Sequence, residues 1–194
     1  MTRQTMRSMT LLILGMSALA WGCASTQSGS GPDTLNVTLT SLRERQAAGA
    51  VGSVHGHHFF GGPDALKQFK DSVVSLIPLA PALEAAVAEA HQDYLANRRS
   101  PLAPQTIRQR WAILDRYVAQ VKRRGFGTLI RVTTTDAKEA RFEFSDVPAG
   151  RWLLVAAATS PVSVTYWAVP IEVQAGWSLR QHLYEANVWL EGLN

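Results

Sequence analysis

Four consecutive residues, His55-Gly56-His57-His58, are the densest set of potential metal ligands in the chain. On a strand, side chains alternate between faces, so His55 and His57 would share one face at a spacing of about 7 Å. Two imidazoles at that spacing can begin a zinc or copper site, which needs three or four ligands. The remaining ligands would have to come from His91, His182 or acidic side chains. The same pattern also fits a polar strand face beside a glycine turn. The metal expectation is therefore none, with His55, His57 and His58 as weak candidates, and no cofactor is expected. Nucleophilic catalysis has little to build on. The single thiol is Cys23, and there is no Gly-x-Ser-x-Gly elbow, no phosphate-binding Walker loop and no Gly-x-Gly-x-x-Gly. Gly49, Gly52 and Gly56 read as loop glycines. The expectation is a protein that is not an enzyme.

Aromatic side chains crowd the last third: Trp152, Tyr166, Trp167, Trp177, Tyr184 and Trp189. Trp152 and Trp167 fall in strand-like alternation and read as core. Trp177 and Trp189 fall outside it, and are candidate exposed platforms for stacking on a glycan or peptide. Cations concentrate between positions 98 and 124: Arg98, Arg99, Arg108, Arg110, Arg116, Lys122, Arg123 and Arg124. Such a concentration reads first as a solvated face. On a lipid-tethered protein it could also meet anionic lipid.

The 194 residues suffice for one ordinary domain. Apolar residues make up 46% and charged residues 18%, which excludes wholesale disorder. The formal net charge is +4, but Arg3 and Arg7 supply half of it, so the basic balance does not argue for nucleic acid. One cysteine excludes a disulfide scaffold and a zinc ribbon.

Residues 1–10 carry Arg3 and Arg7 and no acid, and Leu11 to Gly22 is an apolar run of 12 residues. A bilayer-spanning helix needs about 20 residues. The run instead has the size of a signal-peptide core behind a basic leader. It ends Leu19-Ala20-Trp21-Gly22-Cys23, which resembles the lipobox of bacterial lipoproteins, with Gly22 as the small residue before the acylated cysteine. Ala20 and Trp21 depart from the usual pattern there. The resemblance implies a signal peptide over 1–22, lipidation of Cys23 and attachment to a lipid bilayer. By the same resemblance, Ala24 in place of an acidic residue favours the outer membrane, facing the periplasm. A plain secretory signal cut near Ala20 or Ala24 is the alternative. Residues 23–34, rich in Gly and Ser, read as a flexible tether.

The body, residues 35–194, divides into three parts. Alternation of Leu35, Val37 and Leu39 with polar residues predicts a strand. Val54 to Phe60 predicts a second, Gly61-Gly62-Pro63-Asp64 a turn, Ala65 to Lys70 a short helix, and Ser72 to Leu79 a third strand. Pro81 to Gly125 is helical. Leu83, Val87, Ala90 and Tyr94 form one apolar stripe, and Ile107, Trp111, Leu114, Val118 and Val121 form another, with Arg98-Arg99-Ser100-Pro101 between them. Thr106 with Gln109 predicts a capping box. Two seams joined by a short link predict an antiparallel hairpin over about 81–125. From Thr128 onward the pattern is β. Trp152 to Ala158 is apolar on both faces and so central, Pro170 interrupts the next strand, and Leu179 to Val188 is a last strand or strand-helix mix.

Residues 134–152, with Asp136, Phe142-Glu143-Phe144 and Val147-Pro148-Ala149-Gly150, resemble the carboxypeptidase regulatory-like domains. Lys138-Glu139-Ala140 departs from the glycine usual in their first turn. The resemblance implies an immunoglobulin-like or transthyretin-like β-sandwich with the hairpin inserted between two strands, hence a mainly β protein of α+β class. It also implies an accessory role. The expected function is a membrane-anchored envelope lipoprotein with a non-catalytic structural or interaction domain, its partner an envelope protein or a glycan. A module binding glycan, peptide or metal ion is the alternative.

Overall fold

The structure, a computed structural model, describes residues 33–60, 67–97, 104–159 and 163–193. The apolar leader, Cys23, the turn at 61–64 and the link at 98–101 lie outside these residues.

The first described element corrects the sequence reading. Thr34–Ala47 is a helix, α1, not a strand. Asp33 caps it by accepting the backbone N–H of Asn36. Leu35, Leu39 and Leu42 are buried, a helical spacing, while Val37, on which the strand alternation depended, is 59% exposed. Four strands and two helices follow: β1 (Val51–His57), β2 (Phe59–Phe60), β3 (Lys67–Gln68), β4 (Val73–Pro78), α2 (Pro81–Asn97) and α3 (Pro104–Arg123). A 3-10 turn at Gly127–Leu129 leads to β5 (Arg131–Thr134), β6 (Arg141–Pro148), β7 (Gly150–Thr159), β8 (Ser163–Val173) and β9 (Ser178–Arg180). A second 3-10 turn, Glu185–Asn187, precedes β10 (Val188–Leu193). The helix expected over Ala65 to Lys70 is instead partly β3, which pairs with β2. Thr106 lies inside α3 and not at its cap, because the helix already starts at Pro104.

The fold is mixed α+β. One sheet has five strands in the order β10-β8-β7-β4-β5, the other three in the order β6-β1-β9, with β9 parallel to β1. β7 is the middle strand of five, which explains a run from Trp152 to Ala156 buried on both faces. Pro170 is tolerated because β10 pairs with β8 only as far as Trp167. The hairpin of α2 and α3 stands between β4 and β5, which pair directly with each other. In β6 the alternation holds: Phe142 and Phe144 are buried while Arg141 and Glu143 are exposed. These phenyl rings join Val54, Trp152, Trp167 and Leu183 in one core with both helices of the hairpin and α1. Among the described residues the core cluster runs from Leu35 to Leu190, so the body carries a core of its own.

Two turns show how sequence departures are absorbed. Asp136 accepts the backbone N–H groups of Lys138, Glu139 and Arg141. Those bonds, that from Glu139 foremost, hold its carboxyl below the usual range. They let Ala140 adopt a φ of 54° at a turn where glycine would be unstrained. Between β6 and β7 the chain passes from one sheet to the other. Gly150 has a φ of 146°, and a Cβ there would stand 2.7 Å from a methyl of Leu42.

Candidate functional site

The histidine cluster does not converge. His55 and His57 lie on the outer face of β1, half-exposed. The Nδ1 of His55 is 3.2 Å from the Ser178 hydroxyl. The ring of His57 stacks on that of His182 with centroids 5.4 Å apart and planes within 7°. Stacked rings direct their nitrogens in parallel, not toward a shared point. His182 is further engaged: its Nδ1 accepts the backbone N–H of His57, and its Nε2 faces Arg180 Nε at 3.0 Å. Burial and then the charge of Arg180 hold His182 below the ordinary histidine range. The charge of Arg180 also disfavours a cation beside the ring. Among the described residues, no three His, Cys, Asp or Glu side chains are placed to hold one metal ion.

His58 goes the other way. It is fully buried, packed edge-on to Trp167 with centroids 4.4 Å apart and against Phe69 at 4.7 Å. Its Nδ1 meets the Ser72 hydroxyl at 2.7 Å. Burial pushes its pKa down to about 4, so it is a neutral core residue at neutral pH. Gly52 and Gly56, read from sequence as loop glycines, are strand residues of β1. A Cβ on Gly56 would fall 1.7 Å from the carbonyl oxygen of Gln181, so the neighbouring chain can pass only because there is none.

The two candidate stacking tryptophans are not brought together. Trp177 is 68% exposed in the turn before β9. Trp189, in β10, corrects the expectation of exposure: it is 2% exposed and its Nε1 donates to the Val87 carbonyl 3.0 Å away. It is buried because both α2 and α3 pack on β10, with Trp111 of α3 6.4 Å from its ring. Trp189 instead helps line a cavity of about 310 Å³ between α2, the start of β10 and β8, together with Val87, Ala88, His91, Val169 and Pro170. The cavity opens where β10 ceases to pair with β8. His91 donates Nδ1–H to the Trp189 carbonyl at 2.9 Å. That places its proton on Nδ1 and leaves Nε2 as an acceptor. Glu84 stands at the rim and is held by Arg151, whose Nη1 donates to it at 2.7 Å. The site thus has apolar walls and a few fixed polar groups, the usual make-up of a small binding pocket. The sequence signal for it was Val87 and His91, four apart on the inward stripe of α2, opposite the break at Pro170.

Of the hairpin cations, Arg110 is structural: it donates to the Ala90 carbonyl and pairs with Asp93, joining α3 to α2. Arg124 pairs with Asp33 and fixes the start of α1 against the end of α3. Arg108, Arg116, Lys122 and Arg123 are exposed. No described helix is long and apolar enough to cross a membrane.

No protein-family profile matches the chain, and no curated protein matches it. Solved structures do show likeness. One is a Pseudomonas aeruginosa protein proposed to bind carbohydrate, with 17% identity, a TM-score of 0.40, and coverage of 73% of this chain and 96% of that one. Another is GBS52, the minor pilin of Streptococcus agalactiae, with 10% identity, a TM-score of 0.38, and coverage of 70% of this chain and 44% of the pilin. This chain is therefore similar to two β-rich proteins described respectively as a candidate sugar binder and a pilus subunit.

Proposed function

We propose that the chain is a membrane-anchored envelope lipoprotein whose body acts as a non-catalytic interaction domain. In this reading the leader over 1–22 is removed, Cys23 is acylated, and the body is an immunoglobulin-like or transthyretin-like sandwich with an inserted helical hairpin. The observation that carries the interaction role is the cavity beside Trp189. It combines apolar walls with the acceptor Nε2 of His91, and so suits an apolar group that bears a hydrogen-bond donor, as on a peptide side chain or the less polar face of a sugar. The anchor is supported by the position of the sole thiol at the end of an apolar run. Several acyl chains, at about 0.8 kcal/mol per buried methylene, would hold such a body on a bilayer.

Two measurements test the two halves. Intact mass of the native protein should show loss of residues 1–22 and lipid on Cys23, and Cys23→Ser should abolish both. An unacylated, cytosolic chain with its leader intact would overturn the anchor. The fragment 24–194 should bind a member of a panel of envelope peptides and glycans, read by indole fluorescence. Ala88→Trp, at an exposed position on the cavity wall, should block that binding. Binding that survives Ala88→Trp, or no binding across the panel, would overturn the cavity as the site.

A further inference from the structure

A second concavity has a different character. Between α2 and α3 runs a groove of about 500 Å³ whose floor is Leu83, Ala86, Ile113 and Ala119 and whose rim carries Arg116 and Arg123. The small floor residues leave room that larger side chains would fill. Arg116 and Arg123 are two turns apart on one stripe of α3, about 10.5 Å along its axis. Among the described residues neither is paired with a carboxylate. Lys122 is exposed beside them. Among the described residues, Glu84 of α2 is held by Arg151 and Asp93 by Arg110, while Glu89, three residues beyond Ala86, is exposed and forms no ion pair with either arginine. Asp33 is taken by Arg124. Asp115 acts on Tyr166, which stacks on Trp111 on another stripe of α3.

The position of this groove matters as much as its charge. The ion pair of Arg124 with Asp33 sets the start of the body directly beside the last turn of α3. Cys23 is ten residues before Asp33. Ten residues extend at most about 34 Å. If Cys23 is held in a bilayer, the length of the intervening chain sets an upper bound on how far the start of the body can stand from it. The cations at this end need only approach within a Debye length, about 8 Å at physiological salt, to be drawn to negative headgroups.

We propose that the groove between α2 and α3 is the face with which the body docks on an anionic phospholipid surface. Arg116 and Arg123 meet headgroup phosphates, and the alanine-lined floor receives acyl methylenes. The inference rests on the anchored reading for its geometry, and it assigns the body an orientation: hairpin groove toward the bilayer.

The test uses the fragment 24–194, which contains every described core residue and lacks Cys23. Sedimentation with vesicles of phosphatidylcholine alone is compared with vesicles that also contain phosphatidylglycerol, at low and high salt. The expected result is association only with the anionic vesicles, weakened by salt, and lowered about fivefold for each of Arg116→Gln and Arg123→Gln. Arg108→Gln, which removes the same charge from another stripe of α3, should leave it near the parent value. Equal association with neutral vesicles, none with anionic ones, or an equal loss in Arg108→Gln would overturn the docking face. An acylated native protein whose fragment ignores anionic vesicles would sink the docking face and leave the anchor standing. An unacylated native protein would sink the anchor whatever the fragment does.

Discussion

The imidazole Nδ1 of His58 lies 2.7 Å from the hydroxyl of Ser72, while its Nε2 is buried without a hydrogen-bond partner among the described residues. The same Ser72 hydroxyl approaches the Phe69 carbonyl, and its backbone N–H donates to Thr135, which also reaches Phe69. One buried ring thus ties the end of β1 to the approaches of β4 and the exit of β5.

That arrangement predicts acid sensitivity. The folded pKa of about 4 is below the 6.5 of an unfolded histidine. Above pH 6.5 both states are neutral at this residue and it contributes no pH dependence. As pH falls from 6.5 to 4, the unfolded chain takes up the proton first, and stability is lost by on the order of 3 kcal/mol. Urea midpoints at pH 7.5 and 4.5 should differ accordingly, and His58→Phe should flatten the difference. Asp33 and Asp136, both held below the usual carboxylate range, contribute their own losses at lower pH. A parent protein with equal midpoints at the two pH values would refute the assignment.

Close passage of the chain at Gly56 gives a second prediction. An alanine methyl there would overlap the Gln181 carbonyl and come 2.9 Å from the ring of Phe142. The clash is with backbone and core, so it cannot be relieved by a side-chain rotation. Gly56→Ala should destabilise by more than about 3 kcal/mol, among the largest effects of a single substitution. Gly127→Ala, whose Cβ would meet only Lys122 Cγ at 3.6 Å, should change stability by less than about 0.5 kcal/mol. Chemical denaturation of the two variants checks both, and similar stabilities would remove the close approach as the reason for glycine.

Much of this architecture was legible because its periodicities are long. The two hairpin seams and the two-faced run of β7 each repeat often enough for one period to exclude the other. Leu35-Val37-Leu39 was too short for that. Three apolar residues at alternate positions fit a strand, and only Leu42, outside the window, completes the helical stripe that buries Leu35 and Leu39. The site was less legible for a related reason. His182 falls in the irregular segment after β9, and Trp189 at the start of β10 just beyond it, where no earlier period predicts a facing direction. The stacking of His182 on His57 joins residues 125 apart in sequence, and parallel pairing of β9 with β1 leaves no local signature. Gly52 and Gly56 looked like loop residues because glycine weakens a strand; the backbone on either side of β9, at Gln174, Trp177 and Gln181, passing close to them is a tertiary fact.

The attachment of the hairpin to the sheet supplies a last prediction. Tyr117 of α3 donates its hydroxyl proton to the Pro78 carbonyl at 2.8 Å and accepts the backbone N–H of Ala80 at 3.3 Å. It therefore satisfies both backbone groups at the bend from β4 into α2. Burial pushes its pKa up to about 12, so the hydroxyl stays protonated and able to donate throughout the neutral range. Tyr117→Phe keeps the ring packing and removes only the oxygen, which leaves a buried carbonyl and a buried N–H unpaired. The cost should be about 1–3 kcal/mol. Hydrogen exchange should rise at Ala80 and along the first turns of α2, with β7 protected as before. If the hairpin were merely laid on the sheet, the variant would match the parent in both stability and exchange. If loss of this one oxygen frees the hairpin, the Ala80 amide will exchange faster while the sheet beneath stays closed.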